Sequence, residues 1–397
     1  MKRLYRWIAD TANQARCVMW DELRVVFADS GALLLLGFAM MIYTVIYSTA
    51  YGAEVVRDIP IVVVDDDKSS TSRALVDGLD DGPDTWVAYE AANMAEARDL
   101  LFRGEVFGIV NIPDGLEGDI LANRATTVAL IIDGSHLLLY SHILEQAVAD
   151  VLTTGAMVEV GRVVASGGSD IEARGIVSPV TTNVEMLYNP DLGYGAFVMP
   201  SILIVIIQQS MLIGIAMSAL YAARKRRARL ACSPIITVLS KTLVYIVIYG
   251  FNLLIILGVI WHIFGLPYFA DSLDMALLMF IYMVATSSLG LTLSHLFSRR
   301  ESTIMVLLWT SIPILLLAGI SYPREAFPEW MYYVGRILPS SSAVDAFIKL
   351  CTMGASLRDI LPELSTLTAL AILYLLSAII SESYASKPKK LTQHDGA

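Results

Sequence analysis

The residues of this chain that could do chemistry are polar side chains set inside long apolar runs. They are Gln208, Gln209, Asn252, Thr286 and Ser287. Amide and hydroxyl groups at the depth of a bilayer are costly unless they face a partner helix or a water-filled cavity. We therefore predict that they line a substrate path or an interface between two copies of the chain. Hydrogen bonding between helices of a single chain is the alternative, because it needs no substrate.

Patterns typical of catalysis or metal binding are weak. His136 and His142 lie six residues apart without matching ligands. Asp65–Asp67 is more typical of a solvated turn before a helix than of a cation site. The three cysteines (Cys17, Cys232 and Cys351) are scattered and lack the spacing of a metal site. We predict no catalytic, cofactor-binding or metal site in this chain.

Nucleotide binding is not predicted either. The sequence does not contain the phosphate-binding pattern G-x-x-x-x-G-K-[ST], and Lys241-Thr242 supplies only its last two residues. If ATP and magnesium drive this protein, a separate subunit must bind them.

The composition places these residues in a membrane protein. The 397 residues are 56% hydrophobic and 17% charged, and the mean hydropathy is +0.61. The net charge of −10 is unevenly distributed. Residues 52–195 hold 8 basic and 24 acidic side chains, a balance of −16, so the remainder of the chain carries +6. An acidic soluble domain joined to a basic membrane part explains this division.

Six apolar runs approach the roughly 20 residues that a helix needs to cross hydrocarbon. They are Gly31–Ala50, Phe197–Ala219, Leu243–Phe264, Leu273–Leu296, Thr303–Ser321 and Leu364–Ile380. We predict an α-helical polytopic membrane protein with six transmembrane helices. The first (31–51) is interpreted as a retained anchor, because it is too long for a signal peptide. Residues 1–30 mix basic and apolar side chains, which favours an amphipathic helix along the membrane surface.

The acidic region (52–195) has the pattern of an inserted α/β domain. Short β-type runs alternate with helical ones from Ile59 to Ile132, which indicates a partly parallel sheet. A long helix is predicted over Leu137–Val164, and residues 170–195 are expected to be extended and irregular. The chain then returns to a membrane domain (196–385) and ends in a tail (386–397).

Basic residues in the short flanks indicate the orientation. They cluster in the N-terminal arm, in the loop 222–241, at Arg299-Arg300 and in the tail. With six crossings all four clusters fall on one side, which is then cytoplasmic together with both termini. We predict a multi-pass membrane protein with the acidic domain outside. His295 would lie near the cytoplasmic end and face solvent or headgroups.

The segment Leu317–Leu350 follows the fifth span and cannot be one continuous helix, because proline breaks helices. Pro323, Pro328 and Pro339 divide it into short pieces that carry both charged and aromatic residues. Such structure beside a membrane requires burial in protein or a water-filled cavity. We predict a helical hairpin (322–350) that enters the outer face of the membrane domain, with an ordinary amphipathic loop helix as the alternative.

Several motifs along the chain resemble one family. Ile59–Asp65, Gly104–Gly108, and Tyr188-Asn189-Pro190 followed by Phe197–Pro200 match its landmarks in order. The most specific match is the series Ala318-Gly319, Tyr322-Pro323, Phe327-Pro328, Trp330 and Leu338-Pro339. The chain resembles the ABC-2-type export permeases, in the subgroup with a large extracytoplasmic domain after the first span.

The resemblance implies the permease subunit of an ATP-driven exporter of amphipathic, drug-like or lipid-like molecules, located in a bacterial inner membrane. It implies ABC ATPase subunits as partners, a homodimer or heterodimer of permeases, contact with membrane lipid and a possible periplasmic adaptor, but no nucleic acid. The hairpin would be the outer gate, carried by Gly319, Pro323, Phe327, Pro328, Trp330 and Pro339. The ATPase coupling loop would contain Arg224, Lys225, Arg226, Arg227, Arg229, Ser233, Pro234 and Lys241.

The coupling loop departs from the family pattern, which has an acidic residue followed by Gly-Thr. Residues 223–234 contain neither. The loop could belong to one half of a heterodimer or dock into an acidic groove, or it could only set orientation and meet anionic headgroups. The departure keeps open a second function, a non-transporting membrane scaffold or receptor whose outer domain binds a partner.

Overall fold

A computed structural model describes residues 2–52, 56–122, 124–177, 187–189, 193–224, 232–320 and 322–386. The chain divides into two compact units. The membrane unit comprises Met1–Glu54 and Met186–Ala397, and the inserted unit comprises Val55–Glu185.

The described part of the membrane unit has six helices that are long and apolar enough to cross a membrane. They are Ser30–Ala50, Tyr194–Arg224, Pro234–Ile263, Ser272–Ser294, Arg300–Leu317 and Leu361–Ala385. An additional N-terminal helix, Lys2–Ala28, precedes them. The third span begins nine residues before the predicted Leu243, because Ser233 and Pro234 start the helix ahead of its apolar run. The prediction of six spanning helices with an inserted α/β domain is confirmed.

The second span, Tyr194–Arg224, is the central helix of the membrane unit and contacts the first, fourth and fifth spans. Small residues allow close approach. A Cβ on Gly214 would come within 2.5 Å of Leu36 in the first span. A Cβ on Gly290 in the fourth span would lie 3.0 Å from Ile215. Glycine at such crossings lets helices pack without a hydrophobic driving force between them.

The first and third spans each contain one π-helical turn, at Leu34–Phe38 and Ile256–Ile260. Asn252 stands beside the first of these and donates from Nδ2 to the carbonyl oxygens of Ile248 (2.9 Å) and Leu36 (3.4 Å). A π-helical turn shifts the regular pairing of backbone groups. The Asn252 amide therefore joins the third span to the irregular turn of the first.

The inserted unit is built on a four-stranded sheet in the order β2-β1-β3-β4. The strands are β1 Ile59–Asp65, β2 Thr85–Glu90, β3 Gly108–Ile112 and β4 Ala129–Ile132. β1 pairs in parallel with β2 and β3, and β3 pairs antiparallel with β4. β1 is buried along almost its whole length, as expected for a central strand covered on both faces.

Helices cover both faces of this sheet. Ser70–Asp81 and Leu137–Ala165 pack on one face through Leu75, Leu79 and Ile143. Met94–Phe102 packs on the other through Ala97 and Leu100. The short helix Leu116–Leu121 follows β3.

The extended conformation expected after residue 170 is wrong for Asp170–Val177, which forms a helix. Ser169 and Glu172 explain it: the Ser169 hydroxyl accepts from the Glu172 amide (3.2 Å), and the Glu172 carboxylate accepts from the Ser169 amide (3.1 Å). This reciprocal capping box is a recognised helix start. Residues 178–186 and 190–192 lie outside the described residues.

The acidic residues in the turns of the inserted unit accept hydrogen bonds from other residues of the same unit. Asp65 accepts from the amides of Asp67 and Lys68, both at 3.0 Å. Hydrogen bonds from Ser70 and Thr71 lower the pKa of Glu117. Hydrogen bonds from Ser135, and then from His136, lower the pKa of Asp133 to about 2. The charged forms of Glu117 and Asp133 are therefore stabilised by local donors.

Candidate functional site

The proline-rich segment forms a helical hairpin that reaches the middle of the membrane unit. Its first helix is Glu329–Arg336 and its second is Pro339–Cys351. At the turn, Tyr374 donates to the Ile337 carbonyl (2.6 Å), and Gln208 accepts from the Ser340 amide (2.8 Å). Tyr374 lies 13 residues into the sixth span and Gln208 lies 14 residues into the second. About 20 Å of helix therefore separates each from the start of its span.

Gln208 caps the second helix of the hairpin from a different element. The first three residues of a helix offer amides that need a partner outside it. Pro339 has no amide hydrogen, Ser341 donates to the Leu338 carbonyl (3.2 Å), and Ser340 donates to Gln208. Gln208 and Ser340 are both fully buried. The start of a helix deep inside the bundle is thus satisfied by one side chain of the second span.

A second bond ties the hairpin to the end of the fifth span. The Ser341 hydroxyl donates to the Leu317 carbonyl at 3.2 Å. On the first helix, a Cβ on Gly335 would lie 3.3 Å from the same carbonyl oxygen. Both helices of the hairpin therefore pack closely around the last residue of the fifth span.

The residues predicted to form an outer gate have definite structural positions. Pro323, Pro328 and Pro339 stand at the starts of the 3₁₀ turn Arg324–Ala326 and of the two hairpin helices. The Phe327 ring stacks on Tyr322 with centroids 6.0 Å apart, and Trp330 is exposed. Proline suits these positions because the first amide of a helix has no partner within it. Their role as a gate stays a prediction.

Gly319 begins the turn after the fifth span with φ of +81°, and Arg324, which forms an ion pair with Asp345, lies against it. We expect Gly319→Ala to lower the thermal midpoint of the detergent-purified protein. The left-handed backbone costs about 1–2 kcal/mol for alanine, and the new Cβ would lie 2.7 Å from Arg324 Nε and displace it.

Gly265→Ala is the matched control for this change. Gly265 has φ of +65°, and a Cβ added there would meet nothing within 4 Å, so only the backbone strain is shared. Equal losses for the two variants would show that the Arg324 contact contributes nothing.

The predicted coupling loop is only partly described. Lys225, Arg226, Arg227 and Arg229 lie outside the described residues. Arg224 is the last residue of the second span, and Ser233 and Pro234 start the third.

Lys241 is not a free surface cation. Its ammonium lies 3.0 Å from the carboxylate of Glu22, on the N-terminal helix, which also accepts from the Tyr245 hydroxyl. Glu22 is only 4% exposed. The pair therefore anchors the N-terminal helix to the third span.

A second buried acid, Asp29, directly follows the last residue of the N-terminal helix. Asp29 is 3% exposed and pairs with Arg300 of the fifth span at 2.7 Å. The same oxygen accepts from the Gly31 amide (3.1 Å), which caps the first span. A Cβ on Gly31 would lie 2.6 Å from the Arg300 guanidinium, so a larger residue there would displace that side chain. We call this end of the membrane unit, where Asp29, Lys241 and Arg300 lie, the basic end.

Sequence reasoning missed these two anchors, although a signal was present. Glu22 and Asp29 are seven residues apart and share a helix face with the buried residues Val18, Val25 and Val26. Carboxylates on an apolar helix face need a cationic partner. The amphipathic pattern predicted the helix, but the two acids were not singled out.

The expectation that His295 faces solvent or headgroups is wrong. Its Nε2 lies 3.0 Å from the Glu382 carboxylate of the sixth span, and its Nδ1 lies 2.8 Å from the Leu291 carbonyl oxygen. His295 and Glu382 line a cavity of about 340 Å³ together with Glu22, Lys241 and Cys232. Burial raises the pKa of the Cys232 thiol.

The polar residues predicted inside the membrane lie between helices of a single chain. Gln208, Asn252, Thr286 and Ser287 are at most 1% exposed. Ser287 donates to the Val284 carbonyl (3.3 Å) within its own helix. Both amide atoms of Gln209 are buried without a hydrogen-bond partner in the described part of the chain. A role for these residues in a substrate path or a dimer interface stays a prediction.

The fold and these features define a multi-pass membrane protein. A family model described as "ABC-2 family transporter protein" matches residues 30–380, and the chain belongs to that family. The resemblance stated from the motifs is confirmed.

Two curated relatives carry the same description, "Probable multidrug ABC transporter permease YbhR", from Escherichia coli strain K12 and from Escherichia coli O157:H7. Each is 29% identical over 192 residues, which is 45% of this chain and 51% of the relative. The chain thus spans about half the length of the curated relatives it matches. No solved structure matches it.

Proposed function

We propose that this chain is the permease subunit of an ATP-driven exporter, with ATP hydrolysis on separate ABC ATPase subunits. Its substrate would be an amphipathic, drug-like or lipid-like molecule taken from the cytoplasm or the inner leaflet. Membership of the ABC-2 family supports a transport permease, and the relatives' description as multidrug permeases supports this substrate class.

The mechanism that we propose depends on the hydrogen bond between Gln208 and the Ser340 amide at the hairpin turn. One continuous helix runs from Gln208 to Arg224, where the coupling loop begins. These 16 residues span about 24 Å. A displacement of the coupling loop by an ATPase would move the second span as a rod, and Gln208 would transmit it to the start of Pro339–Cys351. The hairpin is the element that would open.

The basic end would face the cytoplasm, because Arg224, Arg299 and Arg300 join the charges of the coupling loop there. Two copies of the chain, identical or paired with a second permease, would form the transport path between them. Exposed apolar side chains on the first and fifth spans, including Leu34, Ile46 and Trp309, are available for lipid or for a second copy.

The test is capture of an ABC ATPase by the tagged full-length chain, followed by measurement of ATP hydrolysis. We expect Arg226→Glu/Arg227→Glu to reduce the captured ATPase at least about tenfold, since each reversed charge repels an acidic docking groove. Lys389→Glu/Lys390→Glu in the C-terminal tail is the matched control and should retain it. The proposal would be refuted if the tagged chain formed a stable complex that contained no ATPase. It would also be refuted if both variants captured equal amounts of the ATPase.

A scaffold or receptor is the second candidate, favoured by the unusual coupling loop and by the surface of the inserted unit. Leu152, Met157 and Ile171 are 68%, 68% and 84% exposed on its last two helices. Apolar exposure of this kind is typical of a surface that binds a partner. Capture of a partner that requires these side chains, with no ATPase present, would favour this function over transport.

A further inference from the structure

A second cavity at the basic end has the opposite electrostatic character to the one around His295. It has a volume of about 580 Å³ and lies between the end of the second span and the start of the fifth. Its polar lining consists of Tyr221, Arg224, Ser298, Arg299, Arg300 and Glu301. In the first cavity Lys241 and His295 are each paired with a carboxylate. In the second, three guanidinium groups converge with one carboxylate.

Only one of the three arginines is neutralised within the described residues. Arg300 is paired with Asp29. Arg224 and Arg299 are exposed and form no ion pair with the described part of the chain. Even with Glu301 and Asp29 counted as negative, the cavity carries net positive charge. If Arg224 and Arg299 were present only to stabilise the fold, they would pair with other side chains. The described contacts do not show such a role for either of them.

Backbone groups add to this positive potential. The ten-residue helix Arg300–Trp309 starts in the cavity, and its N-cap residue, Arg299, makes no side-chain capping hydrogen bond. The first intrahelical bond is donated by Thr303 to the Arg299 carbonyl at 3.1 Å, so the three preceding amides point out of the helix. The amino end of a helix attracts anions, most of all beside arginine side chains.

An apolar stripe leads away from the cavity along the fifth span. Its side chains follow Glu301 along the chain at helical spacing and are between 59% and 81% exposed. They are Met305, Leu308, Trp309 and Ile312. A dissolved phosphate would use only the cavity. A phospholipid would use both parts, with its phosphate among the arginines and its acyl chains against the stripe.

We propose that this cavity binds the phosphate of an anionic phospholipid, with Arg224, Arg299 and the uncapped amides of the fifth span as donors. Arg300 would contribute while holding Asp29, so the lipid would sit beside the link between the N-terminal helix and the fifth span. The site needs neither an ATPase nor a transported substrate, so it stands independently of the proposed function.

The test measures lipid binding by the full-length protein in nanodiscs of phosphatidylcholine, with and without phosphatidylglycerol, by native mass spectrometry and thermal shift. We expect phosphatidylglycerol to bind more tightly than phosphatidylcholine. Each arginine near the headgroup contributes about 1 kcal/mol, so Arg224→Gln/Arg299→Gln should weaken phosphatidylglycerol binding by about 25-fold. Arg358→Gln, which removes an exposed arginine from a loop outside the cavity, should leave it unchanged.

Three outcomes would overturn the proposal. The first is unchanged phosphatidylglycerol affinity in the double variant. The second is stabilisation of the wild-type protein by inorganic phosphate as strong as by the lipid, which would identify a site for a free anion. The third is loss of ATPase capture in the double variant with no change in lipid binding, which would identify a protein docking surface.

Discussion

Lys241→Met is expected to lower the free energy of unfolding of the membrane unit by about 3 kcal/mol. The change leaves Glu22, which is 4% exposed, with Tyr245 as its remaining described partner. Removing one partner of a buried ion pair typically costs about 3–5 kcal/mol, because the other charge stays buried. The lower end applies here because the Lys241 side chain is 22% exposed. Thermal unfolding of the detergent-purified protein measures the effect.

A double variant separates this cause from simple loss of packing. Glu22→Gln/Lys241→Met removes both charges and should recover most of the stability lost in Lys241→Met. Arg358→Met is the matched control for removal of an exposed cation and should have little effect. Glu22→Gln alone completes the cycle. If its loss of stability and that of Lys241→Met simply add in the double variant, Glu22 and Lys241 do not stabilise each other.

The same variants test what Lys241 does in the assembled protein. The resemblance to the ABC-2 permeases places Lys241 in the coupling loop, whereas the structure gives it a buried partner on the N-terminal helix. If its main role is to anchor that helix, Glu22→Gln/Lys241→Met should retain ATPase capture. If Lys241 contacts the ATPase directly, capture should stay low in the double variant even though stability returns.

Gln208→Met should have the second largest effect. We expect it to lower the free energy of unfolding of the membrane unit by about 1–3 kcal/mol. Methionine fills nearly the same volume but cannot accept from the Ser340 amide, which would be buried without a partner. Gln209→Met is a matched control on the adjacent residue. Both amide atoms of Gln209 already lack a partner among the described residues, so no bond is lost and stability should be unchanged or higher.

The stability lost in Gln208→Met should be local to the hairpin, and thiol labelling can detect local opening there. Ser342 is 5% exposed and lies two residues from the lost bond. In a chain whose native cysteines are replaced by alanine, Ser342→Cys should react slowly with a maleimide. Adding Gln208→Met should raise the labelling rate at least about fivefold, since a loss of about 1 kcal/mol corresponds to a factor of about five. An unchanged rate with lowered global stability would mean that Gln208 does not hold the hairpin.

Gln209 also offers a test of dimer formation. The sequence predicts that Gln209 lies in a substrate path or at an interface between two copies. If it lies at the interface, Gln209→Met should weaken self-association without lowering the stability of each copy. Gln208 is fully buried inside one chain, so its substitution should act on stability instead.

The sequence alone determined the local features of this protein. Apolar length specified the six spans, alternation of strands and helices specified the inserted domain, and prolines specified where the hairpin breaks. The family was also recognisable from short motifs, because their order along the chain is preserved. Each of these depends on neighbouring residues, so it can be read without knowing how the helices pack.

The tertiary structure alone decided which polar groups meet. Gln208 and Ser340 are 132 residues apart, Glu22 and Tyr245 are 223 apart, and Asp29 and Arg300 are 271 apart. Hydropathy shows that such groups need partners but not which ones, because the choice depends on the rotation and depth of every span. The basic residues assigned to a surface or a headgroup region, Lys241 and His295, were for that reason found beside carboxylates of other helices.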